Sequence, residues 1–286
     1  MIRTSVILCV RNGAATIAEQ LAALAAQDHA DSWELVVVDN GSSDGTVALV
    51  REWEDRLPGL TVVQARERAG LAYARNVGVR VAQGQVLAFC DADDAAHPGW
   101  LGALVARAEE AEMVGGRLEL DRLNSPLAMR WRARPEPVAL PTALGYLTYA
   151  AGANLAVRKD AFEAAGGCDE RFTFCGDDLD LSWRIQREGG SLLFSPEAVM
   201  HYRLRADLRG VMRQRYRYGE AEALLRLKFS DAIPPVAPRA RARSVARMLA
   251  HSGELAGGAG RRGAWLAQAS HLAGQLSGSA RYRVLA

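Results

Sequence analysis

Residues 86–95, VLAFCDADDA, decide how this chain is read. An apolar run from Val86 to Cys90 stops against Asp91, Asp93 and Asp94. Short continuous apolar runs of this kind mark strands buried on both faces, as in parallel sheets. Neighbouring carboxylates repel, and where water is scarce they raise one another's pKa. A divalent cation removes that cost. Hard oxygen ligands suit Mg2+ or Mn2+, and Mg2+ is commonly held by one or two carboxylates together with phosphate oxygens. A polar turn, with Asp94 capping a helix from His97, accounts for one acid and not for three.

Upstream, the same kind of run recurs. Residues 5–10, 33–38 and 60–64 read as strands, and residues 14–27, 46–56 and 71–82 as helices. In the first helix Ile17, Leu21 and Leu24 recur at spacings of three and four. Strand and helix in alternation predict an α/β fold, a mostly parallel central sheet with helices on both faces. In such sheets ligands meet the carboxyl ends of strands. Asp39 stands at the second strand end, ahead of the turn-rich NGSSDG, and Asp91 at the fourth. In that turn, Asp44 or Thr46 is expected near the cap of the next helix.

Downstream the pattern changes. Residues 97–112 read as a helix and MVGGRLEL as a strand. Residues 124–142, with Pro126, Pro135, Pro137 and Pro141, read as an irregular crossing segment. A strand and a short helix from Lys159 follow. GDDLDL (176–181) sets Asp177, Asp178 and Asp180 at a helix start, where acids favour the dipole and where one could serve as a general base. SLLFSPEAVMHYR reads as a last strand pair, and residues 209–229 as an amphipathic helix. Pro234, Pro235 and Pro238 mark a boundary.

The 286 residues, 49% hydrophobic and 24% charged, suffice for a substantial core. No apolar window is long enough to cross a membrane. The apolar run near the start breaks at Arg11 without a small-residue cleavage site, which predicts no secretory signal and a cytoplasmic protein. Cys9, Cys90, Cys168 and Cys175 show no zinc-type spacing and are expected as free thiols. The net charge of +2 is uneven: residues 232–286 hold eight Arg against Glu254 alone. Helices are expected at 239–255 and 264–276, joined by GAGRRG (258–263). That stretch satisfies GxGxxG, but no strand precedes it and no acid follows, so it reads as a linker. The Arg content suits peripheral contact with anionic lipid, at the inner membrane face, or with a partner protein. No aromatic platform supports nucleic acid.

Five blocks, SVILCVRNGAATI, ELVVVDNGSSDGT, AGLAYARNVGVRVAQGQVLAFCDADD, GANLAVRKDAFEAAGGCDERF and GDDLDLSWRI, occur in this order over residues 3–230. Together they resemble family-2 glycosyltransferases, inverting enzymes of the GT-A fold. The resemblance implies a glycosyltransferase domain over 1–230 and a helical C-terminal extension over 231–286. Within the domain, 1–115 would bind a nucleotide-sugar and 116–230 the acceptor.

The donor it implies is a nucleoside-diphosphate sugar, UDP-linked by preference, with GDP- and dTDP-sugars as alternatives; the acceptor hydroxyl is undefined. Asp39 matches the acid at the nucleobase and Arg75 an arginine at the nucleotide. Cys9 and Arg11 line the first strand end, where CVRN departs from the family's common PxYN. Asp91 and Asp93 match the DXD motif, at ribose and metal, with His201 as a further metal ligand. Asp178 matches the catalytic base and Asp177 the acid before it. Gly152 and Asn154 match the loop on the sugar side. Trp183, at helical spacing from Leu179, is either a sugar-stacking ring or core. The processive members' QxxRW is absent from SWRIQREGG, which resembles single-addition enzymes. Alternatives are a nucleotidyltransferase, which would want a better Gly-rich basic loop than RNGAAT, and a non-catalytic nucleotide-sugar binder.

Overall fold

The computed structural model describes residues 3–132 and 138–284. In chain order its elements are β1 (Thr4–Val10), α1 (Ile17–Ala25), β2 (Trp33–Asp39), α2 (Thr46–Arg51), β3 (Thr61–Gln64), α3 (Leu71–Val81), β4 (Val86–Asp91), β5 (Ala95–Ala96), α4 (Trp100–Ala108) and β6 (Met113–Glu119). Then come α5 (Pro126–Arg132), β7 (Asn154–Arg158), α6 (Lys159–Ala164), α7 (Asp177–Arg187), β8 (Leu192–His201), α8 (Leu208–Lys228), α9 (Pro238–Ala250), a 3-10 turn (Ser252–Ala256) and α10 (Ala259–Tyr282). The chain divides into two compact units: Met1–Glu119 with Glu136–Ala143 and Leu147–Tyr202, and Leu120–Pro135 with Leu144–Tyr146 and Arg203–Ala286.

The first unit is built on one sheet of order β3-β2-β1-β4-β7-β6-β8-β5. β1 pairs in parallel with β2 and β4, and β2 with β3. β7 enters antiparallel between β4 and β6, while β6 and β8 run parallel. The sheet is therefore mixed, with its first half wholly parallel. Chain order reverses at β1, whose neighbours are β2 and β4. Ligands collect outside the carboxyl ends of strands at such a switch point.

Period-two alternation assigns side chains to the two faces. Val6, Leu8 and Val10 of β1 pack with Ile17, Leu21 and Leu24 of α1 and with Trp100, Leu101 and Leu104 of α4. Ile7 faces the other way, towards Ala72 and Val77 of α3, Phe162 of α6 and Leu181 of α7. Burying each large apolar side chain stabilises the fold by roughly 1.5–3 kcal/mol. These layers hold the strand ends rigid.

The last strand pair expected from SLLFSPEAVMHYR is one strand, β8, whose register on β6 shifts between Gly116 and Arg117. Pro196 sits in that irregularity, where its missing N–H costs no ladder bond. Among the described residues, none of the four cysteines is in a disulfide.

The second unit is helical. α5 interrupts the segment expected to be irregular: Ser125 Oγ accepts from Ala128 N (3.2 Å), and Pro126 opens the helix. Proline suits the first helical turn, where its N–H would have no partner. Pro135 and Pro137 of that segment lie outside the described residues. The GAGRRG linker is also corrected: Gly258 is the N-cap and Ala259–Gly263 form the first turns of α10. α10 lies against α8, with Trp131, Val211 and Ala267 forming a small buried cluster.

Candidate active site at the carboxyl ends of β1, β2 and β4

Asp39 closes β2 and is fully buried. Its Oδ1 accepts from Ser42 N (3.0 Å), while Oδ2 has no hydrogen-bond partner and lies 3.8 Å from Arg66 Nη2. A buried carboxylate oxygen without a donor is costly, which suits a ligand N–H at that point. Beside it is a cleft of about 370 Å3 lined by Arg11, Asn40, Gly41, Ser42, Arg66, Arg68 and Ala69. The three guanidiniums give it an anion-attracting wall.

The loops around this cleft are tied together. Asn12, at φ 54°, donates its N–H to Ser42 Oγ (2.9 Å) and accepts from Ser43 N (2.8 Å). Asp44 accepts from Ala14 N and Thr46 N, both at 3.1 Å, and also from the Thr46 hydroxyl. These bonds hold the Asp44 carboxyl below its usual range. Asn40 locks the loop after β3, donating to Ala65 O (2.5 Å) and Arg68 O (2.8 Å) and accepting from Gly70 N (2.9 Å).

At the end of β4, one oxygen from each of Asp91, Asp93 and Asp94 lies within 4.8 Å of the others. At an effective dielectric of 20, each such pair of charges repels by roughly 3–4 kcal/mol. Helix capping does not explain Asp94, because α4 begins only at Trp100 with Gly99 as its N-cap. The donor set is all hard oxygen, so it fits Mg2+ or Mn2+. Gln20 of α1 braces this loop from below. Its Nε2 donates to Asp91 O (3.1 Å) and its Oε1 accepts from Ala96 N (2.9 Å).

His201 ends β8 directly opposite Ala95 of β5, so it stands beside the acidic loop. Its Nδ1 is bound to Glu119. A carboxylate on one ring nitrogen fixes the ring and leaves Nε2 as the atom that could take a metal. Cys9 is the register partner of Asp91. Burial pushes its thiol up to about 12, so it stays neutral.

The acidic loop and the helix carrying Asp177 and Asp178 are joined through one side chain. Arg75 is buried, and its Nη1 donates to Asp177 Oδ2 at 2.7 Å. Its Nη2 donates to Gly152 O (2.8 Å) and lies 3.8 Å from Asp91. Burial opposes the charge of Arg75, but Asp177 and Asp91 outweigh it and hold the guanidinium protonated. The same Gly152 peptide donates its N–H to Asp178 Oδ2 (2.9 Å), and Asp178 Oδ1 accepts from Leu179 N (3.0 Å). A side chain at 152 would run into the Arg75 guanidinium, which fills the space an Ala methyl would need.

Burial, then the charge of Asp177, raises the Asp178 carboxyl above its ordinary value. A carboxylate so raised is a better proton acceptor. Gly176 opens α7 at φ 93°, a left-handed conformation that favours glycine and turns both acids onto the helix start. Asp180 is held within the helix by Arg184 (2.7 Å).

Asn154, expected on the sugar side, lies in the interior instead, and of the two readings of Trp183 the structure shows core. Asn154 is fully buried: its Oδ1 accepts from Trp100 Nε1, and its Nδ2 donates to Arg117 O and Ala198 O, all at 2.8 Å. Its polar atoms are committed to joining β7 to β6, β8 and α4. Trp183 is fully buried as core, and its Nε1 donates to Leu147 O at 3.0 Å. Gln20, Asn40 and Glu119 escaped the reading of the sequence. Gln20 alone left a signal there, as a polar residue on the apolar stripe of α1.

Residues 5–166 match the model of glycosyl transferase family 2, and residues 140–251 that of glycosyl transferase family group 2. The chain belongs to glycosyl transferase family 2. It is similar to glycosyltransferase AglE of Haloferax volcanii, at 30% identity over 68% of this chain and 65% of that protein. The pre-mycofactocin glycosyltransferase of Mycobacterium tuberculosis is 27% identical over 81% of this chain and 49% of its own length. The chain thus spans about half to two thirds of these curated relatives.

Among solved structures, the mannosyltransferase PcManGT of Pyrobaculum calidifontis, in complex with GDP-Man and Mn2+, superposes with a TM-score of 0.69. The identity is 24%, over 96% of this chain and 86% of that one. S. aureus TarS 1-349 in complex with UDP-GlcNAc gives a TM-score of 0.59 at 17% identity, over 99% and 92% of the two chains. The fold is of the GT-A type.

Proposed function

We propose that this protein transfers one sugar per encounter from a nucleoside-diphosphate sugar to an acceptor hydroxyl, with inversion at the anomeric carbon. The observation that carries this reading is the Arg75 bridge. It fixes a cluster of carboxylates suited to a cation next to a half-buried, proton-accepting Asp178. Family membership and the Mn2+ in the PcManGT complex support it.

Asp91, Asp93 and Asp94, with His201 beside them, would hold Mg2+ or Mn2+. The bound cation would neutralise charge developing on the diphosphate as the glycosidic bond breaks. Asp39 offers Oδ2, which accepts no hydrogen bond, to a base N–H, and Arg11, Arg66 and Arg68 add positive charge around that end. The UDP-GlcNAc and GDP-Man bound in the two structural neighbours support a nucleoside-diphosphate sugar donor, UDP-linked by preference, with GDP- and dTDP-sugars as alternatives. Asp178 takes the proton from the acceptor hydroxyl as its oxygen attacks opposite the diphosphate. The Gly152 N–H and Leu179 N–H hold the carboxylate in place for that transfer. No covalent enzyme intermediate forms, because a single in-line displacement completes the exchange.

The test is release of nucleoside diphosphate from a panel of UDP- and GDP-sugars, with and without Mn2+, by the wild type and by Asp178→Asn. The reading predicts metal-dependent release that the variant loses while still binding nucleotide. Equal turnover by Asp178→Asn would remove the base from this account.

A further inference from the structure

Helix α9 is unusual in this chain because none of its thirteen residues is buried. Two bonds orient it on α10. Arg241 Nη1 donates to Gln275 Oε1 (2.5 Å), and Met248 O accepts from Trp265 Nε1 (3.0 Å). Residues 241 and 248 therefore face α10, and the two helices run antiparallel. With 3.6 residues per turn, Arg239, Arg243 and Arg247 fall on the side turned away from that contact. They recur every fourth residue, in a row about 12 Å long at 1.5 Å per residue.

All three are exposed, and none pairs with an acid among the described residues. The residues flanking the row are Ala242, Ala246 and Ala250, also exposed and too short to lift it off a plane. Leu249, 59% exposed, and Leu255, 37% exposed, project at the C-terminal end of the same segment.

A row of unpaired guanidiniums without an acid on its helix is complementary to an array of anions. The exposed leucines choose among such arrays. A polyanion in water would leave them wet, whereas the interface of a bilayer takes up both apolar side chains and arginines. The helix carries no aromatic ring on which bases could stack. We propose that the outer face of α9 is a docking surface for an anionic phospholipid bilayer. Arginines bind headgroup phosphates there, and Leu249, about 80° round the helix from Arg239, meets the headgroup boundary at the edge of that face. This inference is independent of the sugar-transfer reading, since every residue it uses lies in the helical unit.

The experiment is co-sedimentation of the full chain with vesicles of phosphatidylglycerol and phosphatidylcholine, against vesicles of phosphatidylcholine alone, at low and high salt. The protein should sediment with the anionic vesicles only, and less so at high salt. Each Arg→Gln change should weaken partition by about fivefold, at about 1 kcal/mol per basic residue. The triple change Arg239→Gln, Arg243→Gln and Arg247→Gln should weaken it by roughly a hundredfold, with the unfolding midpoint unchanged. The corresponding triple Arg→Lys should keep binding, and Leu249→Ser should reduce it without altering its salt dependence. Three results would overturn the proposal: no binding to anionic vesicles, binding untouched by the triple Gln variant, or loss of binding to heparin or duplex DNA in that variant while vesicle binding stays intact.

Discussion

Replacing Arg75 by Met should destabilise the protein far more than loss of a surface ion pair. Arg75 is 5% exposed and its partner Asp177 is 1% exposed, with Asp177 Oδ1 already lacking a hydrogen bond. Without the 2.7 Å contact, Asp177 becomes a buried charge with no counter-ion, and Gly152 O loses its donor. Removing one member of such a pair costs about 3–5 kcal/mol. For a chain of this size each kcal/mol lowers the midpoint by about 2–4 °C, so a fall of roughly 6–20 °C is expected. The assay is thermal and urea unfolding of Arg75→Met, Asp177→Leu and the double variant. Because the penalty is the stranded charge, the double variant should recover most of it, giving a coupling energy of at least about 2 kcal/mol. A cost under about 1 kcal/mol for Arg75→Met, or strict additivity of the two changes, would refute the buried bridge.

Asp178→Asn should lower transfer by about 100- to 10,000-fold, the usual worth of a positioned base. The folded-state pKa of Asp178 is raised, so its contribution to stability is present below its unfolded value and is lost as pH rises through the folded one. The Asn variant should therefore be at least as stable as wild type at neutral pH, measured by unfolding midpoint against pH. The rate of the wild type should rise with pH through an inflection above about 3.9, the ordinary Asp value. Asn154→Ala strands Trp100 Nε1 and two main-chain carbonyls, which should cost about 2–4 kcal/mol in denaturant unfolding. The KM for acceptor should hold steady, and a selective rise in that constant would return Asn154 to the sugar site.

The parallel half of the sheet was legible because strands buried on both faces read as apolar runs, and helices between them carry a stripe. Val6, Leu8 and Val10 against Ile17, Leu21 and Leu24 show both periods in adjacent segments. The acids at strand ends were legible for the complementary reason, that charge at the end of a buried run needs a cause. What escaped depends on pairing between distant residues. No local pattern tells that β7 runs antiparallel between β4 and β6. Without the family blocks Arg75 reads as an ordinary exposed helix residue, and its burial follows from Asp177 and Gly152, which only the folded chain brings to it. Asn154 shares this fate, since three elements remote in sequence saturate its amide. α5 was hidden by proline, which disrupts a helix interior but suits its first turn.

The central claim is that the carboxylates at the end of β4 persist because a cation and a diphosphate complete them. Electron paramagnetic resonance of Mn2+ titrated with the protein tests this without turnover, through the loss of the free-ion signal. The account predicts weak binding alone, binding strengthened at least tenfold by UDP or GDP, about 1.4 kcal/mol, and loss of that gain in Asp93→Asn. Mn2+ binding that ignores the nucleotide, or survives Asp93→Asn unchanged, would contradict it.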